Sequence, residues 1–385
     1  GSDEDGNVLS DGTYSYLIES TDQAGNRFQR TLAGITLDTR ETPVSLRISG
    51  PSFSPNGDGV IDTITITPQL EVSENVASWE LSIIDDSDAT VLKLAGSDSP
   101  DATEFDGESP AGGVLPEGEY RAEMSILYRN GSNPSTRSGV FSLDVTNPVA
   151  TLSTSETVFS PNGDGNKDLL AIAQSGSSET EWVGRIADRA GKEVRSLSWF
   201  GAPDEEIEWD GKNNNGRMVA DGVYHYTISA TDRAGNIGTS NRVALEKDTR
   251  DTPLALLADQ SSFSPNGDRV KDEITLEPQI GLPDHIESYR FNVTRGSATG
   301  VAVFERSGSG SPPSRLVWAG VDNSGAKVAD GTYAARLELS YGHGNAPVAV
   351  TPVFAVDTKA PTVSVSSGYT LFSPDGDDRR DSLPV

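Results

Sequence analysis

The sequence predicts an all-β chain of tandem β-sandwich repeats, and three observations carry that prediction. The stretch Phe53-Ser-Pro-Asn-Gly-Asp-Gly-Val-Ile-Asp62 returns as Phe159 to Asp168, as Phe263 to Asp272 and, altered, as Phe372 to Asp381. Tyr14, Tyr120, Tyr224 and Tyr333 are separated by 106, 104 and 109 residues, and so are Asp38, Asp144, Asp248 and Asp357 and the four phenylalanines. Short alternating apolar segments punctuated by Gly, Asn and Asp fill the intervals. Units of this length and patterning read as sandwich domains, because solenoid repeats run to only about 20–50 residues.

Residues 1–40 read as the C-terminal half of one repeat: Tyr14, Tyr16 and Ile18 alternate with Ser15, Leu17 and Glu19, a turn follows at Thr21 to Asn26, and Thr31 to Leu37 gives the last strand. Residues 41–147 form the first complete repeat, with strands expected near 62–70, 77–84, 89–95, 119–128 and 138–145 and turns at Asp85-Asp86-Ser87 and Asn130-Gly131. Residues 148–252 are the most regular copy. There Tyr224, Tyr226, Ile228 and Ala230 should face the core, and the turns at 189–192, 213–216 and 232–236 each place Gly where a hairpin needs positive φ. Residues 253–360 follow the same plan with a polar loop at 307–314, and 361–385 begin a further repeat. Linkers such as Asp248-Thr-Arg-Asp-Thr-Pro253 are short and lack Gly and Ser, which predicts a semi-rigid, elongated rod. Apolar strand faces at the two ends, Tyr14, Tyr16 and Ile18 at one and Val363, Val365 and Leu371 at the other, are expected to meet further copies or other domains of a longer chain.

Composition narrows the function classes. A net charge of −28 over 385 residues argues against nucleic-acid partners and against adhesion to anionic lipid. Cysteine is absent, so neither disulfides nor thiolate metal sites support the fold. With no apolar run of about 18 residues and no basic stretch followed by an apolar one among the first residues, neither membrane insertion nor a signal peptide is expected in this sequence. An extracellular or bacterial cell-surface location suits this balance, with the periplasm as the alternative.

The repeated motif carries the only recurring candidate site. Ser54, Asn56, Asp58, Gly59, Val60 and Asp62 fall at the spacing of positions 1, 3, 5, 6, 7 and 9 of an EF-hand-type loop, which alternates oxygen donors around a sharp turn. Candidate calcium ligands are therefore Asn56, Asp58, the Val60 carbonyl and Asp62; Asn162, Asp164, the Asn166 carbonyl and Asp168; and Asn266, Asp268 and Asp272. The bidentate acid at position 12 is missing, since Thr65, Ala171 and Thr275 stand there. The competing reading is that these Asn and Asp side chains form Asx turns that satisfy their own backbone. The third copy has Arg269 where glycine is expected, and the fourth has Asp375 for Asn and Asp378 for that glycine, which should strain the bend.

The step Asp221-Gly-Val-Tyr224, matched at Asp11 to Tyr14 and Asp330 to Tyr333 and by Glu117 to Tyr120, resembles a tyrosine corner, whose hydroxyl bonds back to nearby backbone. Together with Phe159 to Asp168, Trp209-Asp-Gly211 and Thr231-Asp-Arg-Ala-Gly-Asn236, it resembles the bacterial Ig-like (Greek-key) domain of the flagellar hook-capping protein and of many exported proteins. The Phe159 motif also looks like the start of gliding-motility-associated C-terminal domains. That resemblance implies export and attachment modules, although four internal copies fit a sorting signal poorly.

No catalytic constellation is expected. His225, His285 and His343 do not recur at one repeat position and read as ordinary surface or strand residues, and no nucleophile elbow or phosphate loop occurs. The function expected is a non-enzymatic structural or interaction array, a stalk or filament segment with calcium as candidate stabiliser. The alternative is a module that binds carbohydrate or a partner protein on strand faces or loops. Two or more of Trp79, Trp182, Trp199, Trp209 and Trp318 sharing a solvent-facing patch would favour the alternative.

Overall fold

A computed structural model describes residues 1–385 and contains strands and turns with no helix. The chain divides into two compact units, one of Gly1–Ser155, Ala171–Ile207 and His225–Ala244, the other of Glu156–Leu170, Glu208–Tyr224 and Leu245–Val385.

In the first unit, Val44–Ile48, Ile64–Leu70 and Thr103–Phe105 make a three-stranded antiparallel sheet in that order. The facing sheet runs Ser52–Phe53, Phe141–Leu143, Gly118–Tyr128, Val76–Asp85, Thr90–Gly96, with Ser135–Arg137 also paired to Gly118–Tyr128. The chain crosses repeatedly between the two sheets, which gives the Ig-like sandwich. Alternation fixes the core: along Gly118–Tyr128, Tyr120, Ala122, Met124, Ile126 and Tyr128 are buried while the residues between them are not. Phe53 enters this core through a two-residue parallel pairing with Ser142 and Leu143, and its ring meets Phe105 at 5.7 Å and Phe141 at 6.3 Å. The residues before Val44–Ile48 form one hairpin, Gly12–Thr21 with Arg27–Leu37, that leaves Tyr16, Phe28 and Leu32 largely exposed.

The second unit contains the same pair of sheets, built on Leu254–Ala258, Ile274–Ile280 and Leu316–Trp318 and on Ser262–Phe263, Phe354–Val356, Gly331–Tyr341, Ile286–Arg295 and Ala302–Ser309. Trp318 takes the place of Phe105 and touches Phe263, Tyr333 and Phe354 at 5.6, 5.4 and 6.0 Å. Trp209 is likewise fully buried between Phe159 and Tyr224, 5.3 and 5.1 Å away. Residues 361–385 have no strand, and Val363, Val365 and Leu371 are exposed.

The four corner tyrosines behave alike. Their hydroxyls donate to the carbonyl four residues upstream: Tyr14 to Ser10, Tyr120 to Pro116, Tyr224 to Ala220 and Tyr333 to Ala329, over 2.5 to 2.8 Å. The acid that precedes each corner clamps the linker that follows it, as Asp11 does with Thr39, Glu117 with Thr146 and Asp330 with Thr358.

Two expectations need correction. The strand expected over 138–145 is two pieces, Ser135–Arg137 and Phe141–Leu143, because the buried Ser138 hydroxyl accepts from Ala122 N and donates to Gly139 O, which interrupts the ladder. Val44–Ile48 and Thr103–Phe105 escaped the sequence reading because five and three residues give too little periodicity to separate a strand from a turn. Tyr224→Phe is expected to cost about 1 kcal/mol through the lost corner bond, and Tyr224→Ala about 3–5 kcal/mol through the cavity beside Trp209. Denaturant unfolding of the two variants checks both values; equal costs would mean that the hydroxyl contributes nothing.

Candidate functional site

Each Phe-Ser-Pro loop leaves the core after its phenylalanine and turns back on itself within nine residues. Three of its residues adopt left-handed φ: Gly57, Gly59 and Ile61 at 80°, 87° and 52°, Gly163, Gly165 and Lys167 at 85°, 87° and 49°, and Gly267, Arg269 and Lys271 at 95°, 72° and 52°. A non-glycine residue in that region is strained by about 1–2 kcal/mol. Arg269 at 72° and Asp378 at 60° carry the strain the sequence led us to expect, and the residue at Ile61, Lys167, Lys271 and Arg380 carries more in every copy.

The polar side chains hold this backbone in place. Both oxygens of Asp62 accept backbone N–H groups, from Gly57 and Gly59, each at 2.9 Å. Asn56 Oδ1 accepts from Asp58 N at 2.9 Å and Asp58 Oδ1 from Val60 N at 2.7 Å, two successive Asx turns. Asp168 with Asn162 and Asp164, and Asp272 with Asn266 and Asp268, repeat the pattern. In the third copy the Gly267 N–H bond is the main cause that holds the Asp272 carboxyl below the usual carboxylate range.

This arrangement bears on calcium. With Oδ1 turned to the backbone, the amide nitrogens of Asn56, Asn162 and Asn266 face Asp58, Asp164 and Asp268 Oδ2 at 3.1, 3.1 and 3.0 Å. The Val60 and Asn166 carbonyls lie close to a glycine of a later turn: a Cβ on Gly235 would stand 3.2 Å from Val60 O, and one on Gly344 2.8 Å from Asn166 O. The side chains as placed make the Asx-turn bonds. In the altered fourth copy, carboxylate oxygens of Asp375, Asp377 and Asp381 lie within 4.8 Å of one another on the exposed surface.

What the loop does face is a turn from farther along the chain. In the first unit Asn236, 1 % exposed, has every hydrogen-bonding capacity filled. Its Oδ1 accepts from Ser54 Oγ at 2.6 Å and from Asn56 Nδ2 at 3.3 Å, and its Nδ2 donates to Asp144 O and Asp232 Oδ2, both at 2.8 Å. Asp232 in turn caps the N–H groups of Ala234 and Asn236. In the second unit Asn345 Oδ1 accepts from Asn162 Nδ2 at 3.2 Å, and Lys167 Nζ donates to Gly342 O at 2.7 Å. Earlier in the first unit Asn130 Nδ2 donates to Asp38 O at 3.1 Å. Loop and turn were both legible in the sequence. Their pairing was not, although Asn26, Asn236 and Asn345 recurring at one place in the turn was a usable signal.

The histidines also differ from expectation. His343 is fully buried, with no partner for either ring nitrogen. Trp182, Trp209 and Trp318 are buried, Trp79 packs against the core, and Trp199 donates to Asp204 Oδ2 at 3.0 Å, so the tryptophans form no solvent-facing platform.

A family model described as the CHU_C type IX secretion signal domain matches residues 153–241, which run from before the second Phe-Ser-Pro loop to just past the Asp232–Asn236 turn. This is an extracellular or cell-surface protein. The match agrees with the gliding-motility type of Ig-like domain. No curated protein sequence matches the chain. Among solved structures, a tetra-tandem repeat from the extending region of a large adhesion protein is 18 % identical over 91 % of this chain and 83 % of that one, with a TM-score of 0.35. A 1.5-MDa bacterial ice-binding adhesin is 11 % identical, covering 84 % and 100 %, at a TM-score of 0.34. The chicken CNTN1 FN1–FN3 domains are 11 % identical, covering 80 % and 94 %, at 0.27.

Asp62→Ala removes the acceptor for two left-handed N–H groups and is expected to destabilise the chain by about 1 kcal/mol. A chelator added to the wild-type chain is expected to leave the thermal midpoint unchanged, since the Asx turns close the loop by themselves. A midpoint that falls on chelation would show a cation at work in these loops.

Proposed function

We propose that the chain is a structural array of a surface protein in which each Phe-Ser-Pro loop is a socket for an Asn-bearing turn, so that successive Ig-like repeats are held in register. The observation that carries this reading is Asn236, buried and bonded at once to Ser54, Asn56, Asp144 and Asp232. A buried amide with all its bonds made specifies one arrangement, because a shifted turn would leave several polar groups unpaired at about 1–3 kcal/mol each. The short linkers add to this, since the preceding acid clamps them by side-chain and backbone bonds, as Asp221 does at Thr249. Such an array spaces or presents other parts of a surface protein and needs no catalytic site. The glycan-binding alternative gains nothing from the tryptophans, which are committed to the core or to neighbouring side chains.

Asn236→Ala is the direct test. It should leave the far-ultraviolet spectrum unchanged, speed protease cleavage near 144–149 several-fold, and broaden the distance distribution in small-angle scattering. Identical cleavage and scattering in wild type and variant would defeat the socket reading.

A further inference from the structure

The linker and turns of the second unit contain a feature that the first unit builds from different residues. In the first unit Asp38 pairs with Arg40, the Asn75 carbonyl accepts from Arg129 N, and Asn130 donates to Asp38 O. The second unit repeats this frame. Asp248, 2 % exposed, is held by Arg250 through both oxygens, and the His285 carbonyl accepts from Gly342 N. Asn75 and His285 share a left-handed φ of 63° and 62°. Histidines thus stand at the two places where the first unit has Asn75 and Asn130, and the neutral amide bond to the linker carbonyl is replaced by an imidazole pair. The two rings are edge to face with centroids 6.2 Å apart, and Tyr341 covers His343 at 5.2 Å.

We propose that the His285–His343 pair makes this contact an acid-sensitive latch, closed at neutral pH and loosened as His343 takes up a proton. The proposal does not depend on the array reading, because it concerns the strength of one contact and not what the array is for. The charged and titratable groups around the pair are Glu246, Asp248 and Arg250 on the linker, Asp284 and Glu287 beside His285, and Lys167, bonded to Glu156 and to Gly342 O. Burial is the main cause that pushes the His343 imidazole below its ordinary value; Asp248 and Glu246 pull the other way, while His285 and Arg250 add to the depression. The Arg250 bonds hold the Asp248 carboxyl below the usual carboxylate range. His285 lies 3.3 Å from Glu246 and 4.0 Å from Asp248 and is part-exposed.

The sign follows from linkage. A histidine whose folded value is depressed binds fewer protons closed than open, so closure is fully favoured above the open-state value near 6.5 and is progressively lost as pH falls below it. The test is hydrogen exchange on the intact chain at about pH 7.5 and about pH 5.5, with peptide 341–346 read against peptide 128–133. The ratio removes the intrinsic pH dependence of exchange. Relative protection of 341–346 should fall on acidification, by up to about tenfold where the closed ring takes no proton. His343→Asn and His343→Ala should abolish the change. Both replacements suit the frame, because Asn130, Ala24 and Ala234 occupy the same turn position. Unchanged relative protection in the wild type, or the same pH response in both variants, overturns the proposal.

Discussion

A carboxylate that accepts two backbone N–H groups is the constraint from which the rest of this protein follows. The Phe-Ser-Pro loop must leave a packed core at a buried phenylalanine and return within nine residues, which forces three residues into left-handed backbone. Two of these are usually glycine, but the third never is, so each copy carries unavoidable strain. The acid at the loop end, Asp62 in the first copy, collects the N–H groups that point inward, and the Asn and Asp before it do the same one turn apart. Charge-assisted bonds of this kind are roughly twice as strong as neutral ones, enough to offset the strain. Because the backbone uses the Asn oxygen, the amide N–H₂ is left facing outward, available to the next element along the chain.

That outward amide turns a local solution into a link between repeats. Ser54 and Asn56 present donors, and Asn236 presents an acceptor to them while its own donors close the turn and seize the linker carbonyl of Asp144. The glycine before it is required as well. Gly235 and Gly344 sit at φ 98° and 101° with the loop carbonyl so close that a Cβ would press on it. The other contacts show how much the device tolerates: Asn345 bonds Asn162 without using the Ser160 hydroxyl, and Asn130 reaches the linker carbonyl from two residues earlier in its turn.

The large landmarks were legible because they are single residues with strong physical demands. Buried phenylalanine and tryptophan set the repeat, and Tyr224 with the acid-glycine step before it announced a corner that the structure contains four times. Within residues 41–147 the strands of seven or more residues were found within a few positions of their ends. Those of two to five residues were not, since Ser52–Phe53 or Thr103–Phe105 are defined by their partners and not by their own periodicity. The motif exposed a deeper ambiguity: Asn and Asp at alternate positions around glycines describe a cation cage and a pair of Asx turns equally well. Residue types and spacing alone cannot separate them, because the same oxygens serve either reading. His343 was misread because it lies in a turn, and the rings packed on it, Tyr341 and His285, include one 58 residues away in the chain.

Charge gives the contacts a further logic. A chain with a net charge of −28 repels itself, and ion pairs on its surface weaken as salt rises, since exposed charges are screened over about 10 Å at 0.1 M. An exported protein meets ionic strengths it cannot control. The contacts centred on Asn236 and Asn345 are made mainly by amides, a hydroxyl and backbone carbonyls, whose strength does not depend on a salt atmosphere. Where charged pairs do enter, Asp38 with Arg40 and Asp248 with Arg250 are bidentate within one linker, and the same arginines also reach Glu74 and Asp284.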